Sequence, residues 1–479
     1  MHFSDIGRTW RYLKRNGFRE TRNAALERLH EKDDYRYQPP TNEELERQST
    51  EADSFGVTVS IIVPAYETKP EYITGLVESV AEQTYRKWEL IIADAGEGDK
   101  VYRAVTDAAQ KCGLDTVSDA DDPEKIRSFR THTLKYISLG HNDGIAANTN
   151  AALQYACGDY VSFLDHDDVL TADAVWRTAQ AAAGAPGAAV IYSDEDKMDS
   201  AGHAFSACND KCGWNLDMFL SNNYICHLMT VRRDILDKVQ LRSEYDGAQD
   251  YDLILQIVSL MLRNGITPGL MGKSIVHIPY VLYHWRVHQN STAGNTASKT
   301  YAYEAGRRAL EDFYTSAQIQ AAVRHSRHLG FYETEFLPNV FSARTDIAIV
   351  CGRVFGSDGR IDSYMADPDG KLLYKGMKDG ESGHMHRFDT AQDVGTADLR
   401  CMRLRRSLWE DFAQVMGVPY SEDPGTGLWD YDGWVRDYSD KHDGTLPDTA
   451  EYSARLSDHV RSRGFLILYS PKLKKILAN

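Results

Sequence analysis

The sequence predicts an α/β domain, a doubly wound mixed sheet between helices, followed by a smaller α+β unit. Near-continuous apolar runs at residues 57–66 and Trp88–Asp94 read as strands buried on both faces of a sheet. Amphipathic helical segments alternate with them, which is the β-α-β pattern of a largely parallel sheet. Polar residues collect where the predicted strands end, and open α/β sheets build their sites at those ends. The expected division is residues 1–56 as an amphipathic helix and linker, 57–320 as the main domain and 321–479 as an accessory domain.

Composition excludes several classes. A chain of 479 residues with 42% hydrophobic and 10% aromatic content can bury a large core. A formal net charge of −16 lacks the basic footprint that phosphate backbones require, so no nucleic-acid partner is expected. No apolar run approaches the 18 residues of a membrane span, and no signal-peptide core is evident. Seven cysteines without framework spacing fit a reduced, cytoplasmic setting. Cys208 and Cys212 have the spacing of half a zinc site, but no second pair lies near them.

In chain order, residues 57–66 form the first strand, which Pro64 closes; Tyr66 and Glu67 follow. Ile73, Leu76, Val77 and Val80 then define a helix face. Trp88–Asp94 ends at a carboxylate followed by Gly96 and Gly98. A short strand at 136–139 leads to Asn142-Asp143-Gly144 and a helix over 145–157 that includes Asn148. The next strand, 160–164, ends in Asp165-His166-Asp167-Asp168. Three carboxylates within four residues repel one another unless a cation or solvent neutralises them. Hard oxygen donors suit Mg²⁺ or Mn²⁺, and such ions bridge carboxylates to substrate phosphates. A solvated turn capping the next helix is the plain structural alternative. Thr171 reads as that cap, and 188–192 as another strand. Asp250 falls in the first turn of a helix with Leu253, Ile254, Ile257, Val258 and Leu262 as its core face, where the helix dipole favours negative charge. Residues 281–288 read as a strand rich in His and Arg. No G-x-G-x-x-G or G-x-x-x-x-G-K-[ST] follows the first strand, which argues against dinucleotide and P-loop enzymes.

Taken together, Ser60-Ile-Ile-Val-Pro-Ala-Tyr66, Leu90-Ile-Ile-Ala-Asp94, Asn142-Asp143-Gly144-Ile-Ala-Ala-Asn148, Phe163-Leu-Asp-His-Asp-Asp168, Gly247-Ala-Gln-Asp250 and Trp285-Arg-Val-His288 resemble, in order, the motifs of family 2 glycosyltransferases. The likeness covers about half the chain, and is closest to bacterial enzymes of O-antigen and wall polysaccharides, rhamnosyltransferases among them. It implies a Rossmann-like GT-A fold and an inverting, metal-dependent transfer. The donor would be a nucleotide-diphosphate sugar (dTDP-rhamnose or a UDP-hexose), the acceptor a surface glycan or polyprenol-linked glycan. By the resemblance, Pro64, Tyr66, Glu67, Asp94, Asp143, Gly144, Asn148, Asp165 and His166 line the nucleotide sugar, with Asp94 reading the base. Asp167 and His288 would hold Mn²⁺ or Mg²⁺, and Asp250 would be the general base. Trp214, Asp217, Gly247, Gln249, Trp285 and Arg286 would lie on the acceptor side. Gln249 stands where the family has glutamate, which removes one charge and leaves the base. The chemistry suits these residue types: inversion needs one base and a neutralised diphosphate, not the paired carboxylates of a glycosidase. A non-catalytic scaffold of a polysaccharide assembly complex is the alternative, with the acidic strand end left to explain. A nucleotidyltransferase would carry a Gly-rich basic loop where Tyr66-Glu67-Thr68 stands.

The flanks carry weaker signals. Over residues 1–32, Phe3, Ile6, Trp10, Leu13 and Gly17 form one helical stripe and Arg8, Arg11, Arg15, Arg19 and Arg22 another. An anionic membrane surface, such as the inner face of a bacterial plasma membrane, and the chain's own domain are both suited partners for it. In the last third, residues 348–351 and 401–409 echo 189–192 and 226–234, which reads as a partial repeat of the acceptor half. That unit is expected to be non-catalytic, packing on the first, extending the acceptor surface or making a homodimer.

Overall fold

The computed structural model describes residues 3–30, 34–51, 54–118, 123–288 and 300–477. Its centre is a ten-stranded mixed sheet. The strands are β1 (Val59–Ala65), β2 (Trp88–Asp94), β3 (Asp115–Ser118), β4 (Thr133–Ser138), β5 (Tyr160–Phe163), β6 (Val169–Leu170), β7 (Val190–Met198), β8 (Phe205–Asn209), β9 (Met229–Arg232) and β10 (Ile275–Arg286). They lie in the order β3-β4-β2-β1-β5-β9-β7-β10-β6, with β8 paired to β7. From β3 to β5 all pairing is parallel. β9 then runs antiparallel between β5 and β7, and β10 runs parallel to β7. All seven residues of β2 are buried, as are six of the seven in β1, consistent with helices covering both faces.

Register brings the strand ends level. Ala65 pairs with Asp94, Asp94 with Ser138, and Ile62 with Phe163. The carboxylates that end β2 and β5 therefore share one edge of the sheet. The opposite end carries a buried ion pair, Glu89 with Lys135 at 2.8 Å, which Ser60 and the Cys157 N–H complete with hydrogen bonds at 2.6 and 2.7 Å. Segment boundaries shift modestly from expectation. The helix after Gly144 stops at Leu153, and the helix expected to follow Thr171 starts at Ala174 with Asp173 at its N-cap. The helix Lys100–Cys112 and the strand β3, absent from the sequence reading, complete the parallel half.

Residues 34–51, expected as a linker, instead bind along the domain. The Tyr35 hydroxyl donates to Asp196 at 2.8 Å, and the Tyr37 ring meets His284 edge-on at 4.5 Å. Gln48, fully buried in the helix Asn42–Glu51, accepts from the Thr84 hydroxyl at 3.0 Å.

A hairpin of β11 (Ala321–His325) and β12 (Tyr332–Phe336) follows the helix Thr300–Ser316; its Val323 and Tyr332 join the first unit's core. Past it lie β13 (Ile347–Phe355), β14 (Gln392–Asp393), β15 (Met402–Leu404) and β16 (Leu466–Ile476), a four-stranded sheet of order β14-β16-β13-β15. β13 is flanked by antiparallel β15 and parallel β16, just as β7 is flanked by β9 and β10. The chain also repeats Gly-x-x-Asp-Tyr-Asp, as Gly247 to Asp252 and as Gly427 to Asp432, each leading into a helix. In the second instance Asp430 caps its own helix, accepting the Gly433 N–H at 2.9 Å.

The two units meet over a buried ionic seam. Arg344 grips Asp217 through both guanidinium nitrogens (2.7 and 3.2 Å) and reaches Asp346 at 2.6 Å. Asn215 exchanges hydrogen bonds with the backbone of Asp393 at 2.8 and 2.9 Å. Burial alone would raise Asp217, but the Arg344 guanidinium outweighs it and holds the carboxyl below its usual range. Asp393 has the opposite fate: burial first, and then the Asp217 charge, push it well above. A carboxyl raised in the folded state contributes stability at low pH that is lost as pH climbs towards its folded value. Asp393→Asn should therefore melt roughly 2–4 °C higher than the native chain at pH 8. The advantage should shrink towards pH 4 in the same buffer series, and a constant difference across pH would contradict the raised Asp393 carboxyl.

Candidate functional site

The acidic turn after β5 is held open by its own last member. Asp168 is fully buried. It accepts the Tyr283 hydroxyl at 2.5 Å and the Arg286 N–H at 2.7 Å, both from β10. Burial, followed by the charges of Asp167 and Asp165, raises its pKa well above the ordinary range. The Tyr283 oxygen also accepts the Asp165 N–H at 3.3 Å, and Arg286 donates to the Asp167 carbonyl at 2.6 Å. One strand thus clamps the turn through backbone and side chain, and Asp165 and Asp167 are left only partly buried.

His288, just past β10, brings Nε2 to 2.6 Å from Asp167 Oδ2. The Tyr72 ring lies 5.6 Å from the His288 ring and 4.8 Å beneath the Arg286 guanidinium. Nδ1 of His166 is buried and has no hydrogen-bond partner among the described residues. Asp250 opens the helix Gln249–Arg263, and its Oδ2 accepts from Asn223 at 2.9 Å. Burial raises the Asp250 pKa; His227 opposes this, and Asp165 adds to it. Asp250 is therefore within electrostatic reach of the acidic turn.

His227 belongs to this group, although the sequence reading passed over it. It stacks on Tyr283 at 4.7 Å and 9°, with Trp285 5.5 Å away. Burial would lower its pKa, but Cys226, Glu195 and Asp165 together raise it well above the usual value. Glu195, Cys226 and His227 present donor atoms within 4.8 Å of one another. Lys211, 3.4 Å from Glu195, already neutralises that carboxylate and Asn209 donates to it at 3.1 Å, so the trio reads as a polar wall. The signal was the polar run Asn222-Asn223 and Cys226-His227 ahead of β9, which reads as loop until the fold places it beside β10.

The remaining predicted residues divide. Asp94 is 3% exposed, and its oxygens accept the Gly96 N–H at 2.9 Å and the Tyr136 hydroxyl at 2.8 Å. Burial raises its pKa against these two bonds. Pro64 is partly buried in β1, while Tyr66 is 48% exposed and Glu67 adopts a positive φ of 50° beside it. Asp143 is exposed and pairs with His141 at 2.8 Å. Asn148 donates to Asn142 at 2.9 Å, fixing that loop. Gly144 has φ 96°, and a Cβ there would lie 2.3 Å from Asp246, whose carboxylate accepts the Ala146 N–H at 3.1 Å. Gly247 (φ 91°) leaves no room for a Cβ beside Ala302 and donates its N–H to Gln249 at 2.8 Å. The Asn-Asp-Gly and Gly-Ala-Gln-Asp motifs are thus locked together.

Two of the acceptor-side candidates have structural partners. Asp217 is 4% exposed and committed to Arg344, so it serves the seam. Trp214 packs its ring 5.2 Å from Phe219 at the margin of the core. The segment still bears on the site at one remove, because the Phe219 carbonyl accepts the Tyr251 hydroxyl at 2.6 Å, next to Asp250.

Comparison with known proteins fits this geometry. Residues 60–240 match the model described as Glycosyl transferase family 2. This stretch is a family 2 glycosyltransferase domain. With its parallel half, antiparallel β9 and acidic β5 edge, it has the GT-A fold. The uncharacterized protein y4gI of Sinorhizobium fredii is 35% identical over 259 residues, 54% of this chain and 25% of that protein. The O-antigen biosynthesis protein RfbC of Myxococcus xanthus is 29% identical over 256 residues, 53% of this chain and 18% of that one. The chain therefore spans a quarter or less of these curated relatives. S. aureus TarS 1–349, solved with UDP, is 17% identical over 54% of this chain and 65% of its own, with a TM-score of 0.37.

The Tyr283 hydroxyl serves two partners, so removing it is informative without touching Asp165 or Asp167. Tyr283→Phe should cost about 1–3 kcal/mol, the price of a buried carboxylate losing a donor. Chemical denaturation monitored by Trp fluorescence gives the value, and a change below 0.5 kcal/mol would show the clamp to be unimportant.

Proposed function

We propose that this chain transfers a sugar, with inversion, from a nucleotide-diphosphate donor to a growing bacterial surface polysaccharide or lipid-linked glycan. The observation that carries this is the Asp167–His288 pair at the acidic edge of a family 2 domain together with the separate acid Asp250, which feels the charges of His227 and Asp165. The name of the Myxococcus relative, an O-antigen biosynthesis protein, supports the polysaccharide setting.

The donor set fits a divalent ion of the Mg²⁺ or Mn²⁺ kind. Two partly buried carboxylates and one imidazole offer hard oxygen and borderline nitrogen, and the third carboxylate is already satisfied by β10. Asp167 and His288 would hold it. When bound, such an ion neutralises charge on the departing diphosphate. The orphan Nδ1 of His166 fits the same reading, since a bound polar ligand would relieve its burial. Asp250 accepts the acceptor's hydroxyl proton. Its raised pKa makes it a stronger base than an exposed carboxylate, and the Asn223 amide fixes its orientation. Asp94 and the Asp143–Asn148 loop line the nucleotide side, and Trp285 and Gln249 face the acceptor.

The first test is a thermal-shift panel of UDP, dTDP, GDP and CMP and their sugars, with Mn²⁺, Mg²⁺ or EDTA. One nucleotide should shift the native chain only with metal, by about 2.7 kcal/mol of stability at a hundredfold excess over Kd. Asp167→Ala should abolish that dependence. No shift with any nucleotide would favour a scaffold without a donor site.

Asp250→Asn should keep the donor shift and lose transfer by about 10²–10⁴-fold. The acid limb of kcat should lie above the ordinary aspartate value near 3.9, because burial raises Asp250 and protonation on acidification removes the base. Asn223→Ala removes a bond that favours the ionised form, so it should move that limb further up. A limb unmoved by Asn223→Ala would place the base elsewhere.

A further inference from the structure

The N-terminal helix Phe3–His30 is kinked at Gly17 (φ 81°, ψ 174°), and its two faces differ in charge. Its acids point inward: Glu20 pairs with Arg327, and Glu27 accepts the N–H groups of Ser382 and Gly383 at 2.9 and 2.7 Å. Asn16 donates to the Arg327 carbonyl at 3.1 Å, so the helix is docked on the second unit and the hairpin turn. Its outer face differs from the stripe expected from sequence. Trp10, Phe18 and Leu26 are 57%, 77% and 46% exposed. Lys14, one turn after Trp10 on the segment before the kink, and Arg22, between Phe18 and Leu26 on the segment after it, are exposed as well, and the Lys14 ammonium lies 5.5 Å from the Trp10 ring centroid. Arg28 is exposed too, whereas Arg15 and Arg19, also exposed, reach back to the body of the protein, Arg15 to the Arg327 carbonyl and Arg19 to Asp379 at 3.7 Å. Between residues 9 and 28 there is no exposed acid among the described residues. Phe3, Ile6, Arg8 and Arg11 lie outside the described side chains.

We infer that this outer face seats the chain on an anionic lipid surface while the inner face stays docked. The charge complementarity is specific. In a chain of net charge −16, Lys14, Arg22 and Arg28 are exposed here while the local acids face inward, and large apolar groups stand among these cations. Tryptophan with phenylalanine and leucine amid lysine and arginine is the chemistry of an interfacial helix. An acidic protein partner would use the same charges but has no need of three exposed large apolar side chains spaced along the helix. The inference does not depend on the transferase reading, since vesicle binding requires no donor site.

The test is co-sedimentation of the full chain with vesicles of phosphatidylcholine alone and of phosphatidylcholine with 30% phosphatidylglycerol, a ratio chosen at about the anionic content of a cytoplasmic leaflet. Binding should appear with the anionic vesicles only and fall as salt rises. Phe18→Ser with Leu26→Ser should weaken it about tenfold, as should Lys14→Glu with Arg22→Glu, both at an unchanged melting temperature. Absence of native binding, equal binding to both vesicles, or binding unaffected by either pair overturns the inference. So does a concentration-dependent dimer, seen without lipid by analytical ultracentrifugation and abolished by Phe18→Ser, which would assign the face to a second copy.

Discussion

Asp168 sits fully buried with two more carboxylates within three residues of it, and much of the domain is arranged to tolerate that charge. β10 supplies the remedy. Its Tyr283 hydroxyl and Arg286 N–H satisfy Asp168, the Arg286 guanidinium holds the Asp167 carbonyl, and His288 meets the Asp167 carboxylate. A buried carboxylate with two donors is tolerable, whereas three unpaired ones are not. The turn is thus preorganised, with Asp165 and Asp167 presented at the edge and unable to collapse inward.

The same logic extends to the base side. Asp250 is oriented by Asn223, and its neighbour Tyr251 is anchored to the Phe219 carbonyl. The short helix Leu216–Phe219 is gripped from the second unit through Asp217–Arg344 and Asn215–Asp393. A chain of contacts therefore runs from the accessory unit to the proposed base. In the second unit, Asp430 at the matching place of the repeated motif caps a helix.

Much of the fold was legible. Continuous apolar strands, alternating helices and carboxylates at strand ends identify a parallel sheet and its functional edge, because local hydrophobic period and strand polarity do not depend on distant contacts. Asp165, Asp167 and Asp250 stood out as candidates because each lies at the end or start of a strongly patterned element, whereas His288 entered only through the family resemblance. His227, Asn223 and Tyr283 were not legible. A histidine before an ordinary strand and a tyrosine within one carry no local mark, and they become site residues only when β9 and β10 lie near β5.

Sequence by itself determined the α/β class, the acidic strand end and the separate acid at a helix start, since each is written in a few contiguous residues. Tertiary structure decided what each carboxylate does. Asp168 and Asp217 look like their neighbours in sequence, yet one is the clamp of the turn and the other the anchor of the seam. Their roles follow from which cations and donors the remote strands bring to them. For a buried charge, that pairing decides whether the group is structural or free to act.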